Sequence, residues 1–290
     1  MILVTGATGG VGGAVVRELI GRGVKGVGAM CRSEKDQARL PVGAEAVVAD
    51  FADPASLVRA LRSVTAAYLV CAPIPELVQL ETNFLLACRE TGLGHVVINS
   101  ALGAEDFGKT FPSWHRKVED KARELGLPCT ILRPNGFMQN IVAYFAPTIR
   151  AQDAFYGTIG DAKISLIDVR DIAAAAAEAL MRPATVGQVL ELSGPEAVSY
   201  DTLAARISAV AGRAIHYVNL SPEQMRQGMV AAGVPAPQAA AVVDLDDYYR
   251  AGKGATSDLQ LRQLLGRPPR TLESYLAEVA AQFEKVHDAL

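Results

Sequence analysis

A doubly wound α/β fold built on a parallel sheet is what this 290-residue chain predicts, on three observations. Short apolar runs of strand length alternate with helical stretches through the first ~135 residues. The runs are apolar throughout rather than alternating, as expected when helices cover both faces of a sheet. The first run leads into a glycine-rich turn and then a helix.

Taken in order, Ile2–Thr5 is a strand and Gly10–Gly21 a helix. Lys25–Cys31 is the second strand, followed by a polar stretch from Arg32 to Asp36, and Ala44–Asp50 is the third. Asp53-Pro54 opens a helix to Leu61, since Asp before Pro at a first turn is a start signal. Ala66–Cys71 is the fourth strand, ended by Pro73 and Pro75, and a long helix covers Glu76–Glu90. Gly94–Asn99 is the fifth strand, a helix covers about Ser113 to Leu125, and Cys129–Arg133 is the sixth strand. After Pro134 the rhythm changes. A helix is expected over Phe137–Ala151, short strands at Ala154–Tyr156 and Lys163–Ile167, and an Ala-rich helix over Asp168–Met181. Strand Gln188–Leu192 either belongs to the appended part or returns to the main sheet. From Ser199 the chain reads as mostly helical, with one strand at Ile215–Val218. The expected division is a dinucleotide-type domain at 1–136 and about 168–194, with a smaller, mostly helical substrate lobe at about 137–167 and 195–290.

Half of the residues are hydrophobic, a fifth are charged and the net charge is −3. That composition supports a sizeable core and excludes a disordered chain. It lacks the basic patch that binding to nucleic-acid phosphates requires. Cys31, Cys71, Cys88 and Cys129 are far apart and have no zinc spacing, so they read as reduced thiols of a cytoplasmic protein. His216 and His287 show no ligand spacing either, and no metal is expected; His95 reads as structural. The chain opens directly on a strand, without a leader, and no apolar stretch is long enough to span a bilayer.

The strongest motif is Val4-Thr5-Gly6-Ala7-Thr8-Gly9-Gly10-Val11-Gly12. Gly6 permits a tight turn out of the strand, Gly9 lets backbone approach a diphosphate, and Gly12 allows the helix to pack closely. The unpaired N–H groups at the helix start then face the phosphates. In its strand–turn–helix setting this is a Rossmann-type dinucleotide fingerprint, with Thr8, Gly10 and Val11 among the contacts. Arg32 lies 20 positions past Gly12, where an acid would hold a free ribose 2′-hydroxyl. An Arg there suits a 2′-phosphate and favours NADPH, while Glu34 leaves NAD(H) open. Ligands of such sheets bind outside the carboxyl ends of the strands. This adds Asp50 and Phe51, then Cys71, Ala72 and Pro73, then Asn99, and finally Pro134, Asn135, Gly136 and Phe137 to the expected cofactor contacts.

The segment TGATGGVG with Arg32, the ADF at Ala49–Phe51, INSALGAE at Ile98–Glu105 and LPCTILRPNGFMQN at Leu127–Asn140 resemble the NmrA-like branch of the atypical short-chain dehydrogenases/reductases. The resemblance covers most of the chain. It implies an NADPH-dependent oxidoreductase of the quinone-reductase or triphenylmethane-reductase kind. Some members of the branch act in aromatic polyketide tailoring, where quinone reduction leads to net hydroxylation, and others are non-catalytic redox sensors that act through a protein partner. Monomers and homodimers both occur among similar proteins.

The chain departs from the wider superfamily at its catalytic YxxxK. Counted back from Gly126-Leu127-Pro128, the Lys position falls on His115 and the Tyr position on Phe111. His115 and Glu119 share a helix face at i,i+4. A Glu-oriented imidazole would hold the ribose or donate a proton. Ser100 corresponds to the strand-five Ser of the superfamily. A missing tyrosine acid favours acceptors that spread the incoming charge over a ring, such as quinones and polyaromatics. Met138, Asn140, Tyr144 and Phe145 are expected to wall the substrate. Met225, Met229, Tyr248 and Tyr249 fall on later helices, with a turn at Gly233–Pro237.

Overall fold

The structure, a computed structural model, describes residues 1–104 and 110–285 and has the expected α/β architecture. Glu105 and His287 lie outside the described residues. The elements in chain order are β1 (Ile2–Val4), α1 (Gly10–Gly21), β2 (Val27–Cys31), β3 (Glu45–Val48), α2 (Pro54–Leu61), β4 (Ala66–Leu69), α3 (Leu77–Thr91), β5 (Val96–Asn99), α4 (Thr110–Glu124) and β6 (Cys129–Pro134). There follow α5 (Ala146–Gln152), β7 (Ala154–Gly157), β8 (Lys163–Ile164), α6 (Val169–Met181), β9 (Val189–Leu192), β10 (Val198–Ser199) and α7 (Tyr200–Ala211). The chain ends with β11 (His216–Asn219), α8 (Pro222–Ala231), α9 (Ala236–Arg250), α10 (Leu259–Leu265) and α11 (Leu272–Glu278).

The chain forms two compact units. One holds Met1–Pro134, Val169–Leu192 and Gln263–Gly266; the other holds Asn135–Asp168, Ser193–Arg262 and Arg267 onward. The first contains a seven-stranded sheet in the order β3-β2-β1-β4-β5-β6-β9. All of its pairings are parallel, and β9 joins β6 with Ile131 opposite Val189. Strand β9 thus returns to the main sheet. The order reverses between β1 and β4, the switch point at which ligands of such sheets bind.

Packing follows from the apolar pattern. Leu3, Leu57, Leu61, Phe84, Leu85, Ile98, Val118 and Ile131 share one buried cluster. Helix α6 packs against α1 and against β4, β5 and β6. Its run Ala173–Ala177 is at most 2% exposed, and small side chains are what permit that approach. His95 is structural: its Nε2 meets Thr130 Oγ1 at 2.9 Å, and Thr130 in turn donates to the Thr185 carbonyl.

In the second unit β7 pairs with β11 and β8 with β10. Phe155 is fully buried, stacked on Phe145 and Tyr217 and met edge-on by Tyr200. Helix α8 starts at a capping box of Ser221 and Gln224, and the backbone turns at Gly233 before α9. The helix expected over Phe137–Ala151 is corrected. Phe137 instead bridges to Ile167, Ile141–Phe145 forms one π-helical turn, and α5 begins only at Ala146. Pro147 explains the break. Inside a longer helix it would remove a hydrogen bond and clash with the preceding turn, whereas a first turn accepts it. Among the described residues no helix is long and apolar enough to cross a membrane.

Substituting Ala175→Leu overpacks the seam of α6, which is fully buried at that position. Thermal unfolding should report a loss of about 1–3 kcal/mol.

Candidate active site

The turn after β1 is held from two sides. Thr5 Oγ1 donates to the Val70 carbonyl at 3.0 Å and accepts from the Val70 amide at 2.8 Å, fixing the end of β1 against the end of β4. Gly6 then takes φ +58°, and a Cβ there would stand 2.8 Å from Val70 O. A Cβ on Gly12 would stand 2.4 Å from Gly6 O and 2.5 Å from Thr5 O, so only glycine lets α1 begin this close to the strand. Gly9 is the N-cap and provides no side-chain cap. The first amides of α1 therefore keep their donors for a ligand, with the positive end of the helix dipole behind them. Thr8, Gly10 and Val11 lie on this turn, Gly9 and Gly10 being exposed.

Around the turn stand the other carboxyl ends. Arg32 is exposed just past β2. Asp36, beside it, is held below its ordinary pKa by Ser33, with help from Arg39 and Arg32. Asp50 accepts from the Ala52 amide at 2.9 Å, which shapes its own turn after β3. Phe51 packs edge-on against Phe84, and its carbonyl accepts from Asn83. Cys71 is half-buried, while Ala72 and Pro73 are exposed. Asn99 is buried and accepts from the Tyr68 hydroxyl at 2.8 Å. Burial pushes the Cys71 thiol up to about 12 and raises Cys31, Cys88 and Cys129 as well, so these free thiols stay protonated at pH 7.

Helix α4 brings Glu119 and His115 to the same edge. Glu119 is fully buried, and its carboxylate binds four donors. Arg133 gives Nε at 2.9 Å and a terminal nitrogen at 2.7 Å, Ser100 Oγ donates at 2.6 Å, and Arg123 donates at 3.0 Å. Burial alone would raise this carboxyl; the hydrogen bonds from Arg133 and Ser100, with the Arg133 charge, hold it below its ordinary value. The Glu119 that was expected to orient His115 through a hydrogen bond is therefore engaged elsewhere, and so is the Ser100 hydroxyl. The i,i+4 spacing puts both side chains on one face, but the guanidinium of Arg133 is the stronger partner for the carboxylate. His115 is half-buried as a residue, and its Nδ1 is sealed from water with no partner among the described residues. Burial pushes the imidazole down to about 4, with a small opposing push from Glu119, so it is neutral at pH 7.

The second unit carries the residues that follow β6. Pro134 closes that strand inside the first unit and is buried. Asn135 Oδ1 accepts from the Gly136 amide at 2.8 Å. Its Nδ2 donates to the Gly254 carbonyl at 2.9 Å and to Thr256 Oγ1 at 3.2 Å. The side chain of Asn135 thus organises its own unit. Met138, expected to wall the substrate, is 1% exposed and belongs to the interior. Phe145 stacks on Phe155 at 4.7 Å between ring centres, Asn140 is half-buried, and Tyr144 is 69% exposed. Phe155, Tyr200 and Tyr217 complete this aromatic cluster and were not singled out in the sequence, because they are scattered over three elements. Arg133 was not singled out either, although a guanidinium in an otherwise apolar strand is a signal for a buried acid.

The close backbone approaches that exclude a Cβ at Gly6 and Gly12, the uncapped amides and the orphaned Nδ1 of His115 fit a dinucleotide at this edge. A model of the NmrA-like family matches residues 1–276. An NAD(P)H azoreductase of Xenophilus azovorans is 34% identical over 289 residues, covering 98% of this chain and 99% of that protein. A (4-alkanoyl-5-oxo-2,5-dihydrofuran-3-yl)methyl phosphate reductase of Streptomyces griseus is also 34% identical, over 98% of this chain and 99% of its own length. The crystal structure of an NADPH-dependent quinone oxidoreductase of Escherichia coli with NADPH superimposes with a TM-score of 0.89 at 28% identity, covering 96% of this chain and 99% of that one.

Replacing Glu119 by Ala removes a buried acidic partner of the Arg133 guanidinium, and urea unfolding should show a loss of about 3–5 kcal/mol. The pH dependence has a definite sign. Because the folded carboxyl lies below its ordinary 4.5, its stabilisation is present above that value and disappears as pH falls through the lowered one. Glu119→Ala should lack that acid limb.

Proposed function

From a chain that belongs to the NmrA-like family, we propose an NADPH-dependent oxidoreductase that reduces quinone-like and other conjugated acceptors. Its relatives are named as reductases and oxidoreductases, one of them an NAD(P)H azoreductase, and the Escherichia coli structure holds NADPH. The first amides of α1 receive the diphosphate, and Arg32 pairs with the 2′-phosphate. The segments at Asp50–Phe51, Cys71–Pro73 and Asn99 line the rest of the cofactor. When bound, the reduced nicotinamide supplies a hydride.

One observation carries the choice of acceptor. No tyrosine stands on α4: Phe111 holds the tyrosine place, and His115 at the lysine place is a neutral imidazole at pH 7. A neutral imidazole is a poor acid but a good hydrogen-bonding group, and its free Nδ1 suits a ribose hydroxyl. A simple ketone would need a strong proton donor for its developing alkoxide. A quinone, an azo group or a conjugated lactone spreads that charge, and water can supply the proton afterwards. The names of the relatives cover these three acceptor types. Four free thiols suit a cytoplasmic location.

Purified protein should oxidise NADPH in the presence of quinones or azo dyes and not with simple ketones. Equal turnover of ketones would overturn the acceptor class. Tight cofactor binding without turnover of any acceptor would favour a redox-sensing role instead. Arg32→Ala should lower kcat/KM for NADPH about tenfold to hundredfold, the worth of a charge-assisted pair, and leave NADH nearly unchanged.

A further inference from the structure

Helix α3 carries an acid on its buried face. Leu77, Phe84, Leu85 and Cys88 form the apolar stripe, and Glu81 stands within it at one-turn spacing, with no exposed surface. Neither of its carboxyl oxygens has a hydrogen-bond partner. Helical side chains lean toward the helix N-terminus, and α3 starts just after the Cys71–Pro73 segment, so the carboxyl leans toward the carboxyl edge of the sheet. Its charge is felt there by Tyr68 of β4 and by the Cys71 thiol, both neutral at pH 7. The Cys71 amide is the nearest donor and falls short of hydrogen-bond geometry. The ionisable groups of the packed helices are engaged elsewhere. Arg59 of α2 is 3.8 Å from Asp53, and on α4 Lys121 meets Glu124, Arg123 meets Glu119 and Asp120, and His115 responds to Glu119. Burial raises the Glu81 carboxyl to about 8, so it is a neutral acid at pH 7.

We propose that Glu81 is a proton-linked positioning residue for NADPH: as the neutral acid it lets the Cys71–Pro73 segment lie against α3 in the shape that meets the cofactor, and as an anion it displaces that segment. An unpaired carboxylate in a dry seam between helix and sheet must recruit water or a counter-charge. Glu81 acts on Cys71, and Ala72 and Pro73 after it are exposed, so in the proposal hydration reaches the carboxylate by displacing this segment. The same segment continues from Val70, which braces the glycine turn through Thr5 and Gly6. Lifting it loosens the diphosphate seat, and the cofactor adds further negative charge at the same edge. NADPH binding therefore takes up a proton in alkaline solution.

The test is titration of wild type and Glu81→Gln with NADPH between about pH 6.5 and pH 9.5, by cofactor fluorescence and by calorimetry in two buffers of different ionisation heat. The 2′-phosphate titrates near pH 6, below this window. The Met1 amine lies at the amino end of β1 against Ser63 and is common to both proteins. Wild-type affinity should fall toward about tenfold per pH unit above pH 8, with uptake approaching one proton. Glu81→Gln should match wild type at pH 7 and stay flat. Parallel profiles, or no proton uptake by wild type, would overturn the proposal. Should Glu81→Gln unfold, Glu81→Met fills the seam without a charge and should give the same flat profile. The readout is binding, so it is independent of which acceptor is reduced.

Discussion

Helix α1 starts so close to the end of β1 that a methyl group on Gly12 would stand 2.4 Å from the Gly6 carbonyl. That approach aims a row of uncapped amides across the carboxyl edge of the sheet, at the switch point between β1 and β4. Thr5, bonded in both directions to Val70, keeps the turn from relaxing. The remaining groups at this edge acquire their meaning from an anion seat fixed in this way.

The electrostatics of the edge are arranged around that seat. Glu119 is ionised but neutralised by Arg133, and its fourfold hydrogen bonding ties α4 to β6 and to Ser100. Glu81, His115, Cys71 and Tyr68 are neutral at pH 7 because burial disfavours their charged forms. The edge therefore offers an anionic ligand fixed partial positive charge from the helix start and a full positive charge from Arg32, with no uncompensated buried anion opposing them. The lack of a strong acid also limits the chemistry: hydride transfer is assisted by position more than by proton donation.

The central strands of the sheet are legible because they are buried and read as apolar runs, whereas the edge strands β3 and β9 are partly exposed and the sequence leaves open whether β9 joins β6. The glycine turn was equally plain, since Gly6 and Gly12 are dictated by close approach of backbone. Two features escaped for physical reasons. The helix begun at Phe137 was drawn from apolar spacing, although Pro147 limits regular helix to Ala146 onward. The pairing of Glu119 with His115 was drawn from i,i+4 spacing, which ranks partners within one helix and is blind to Arg133 arriving from a strand. Glu81 was visible as a lone acid among Leu77, Phe84 and Leu85, but spacing alone does not tell a neutral buried acid from an ion-paired one.

The most direct test of the anion seat is phosphorus NMR of NADPH titrated with the protein. The diphosphate resonances and the 2′-phosphate resonance should both shift and saturate at one equivalent, since the proposed seat gives the diphosphate to the amides of α1 and the 2′-phosphate to Arg32. Unchanged diphosphate resonances at saturating protein would contradict the account at its base.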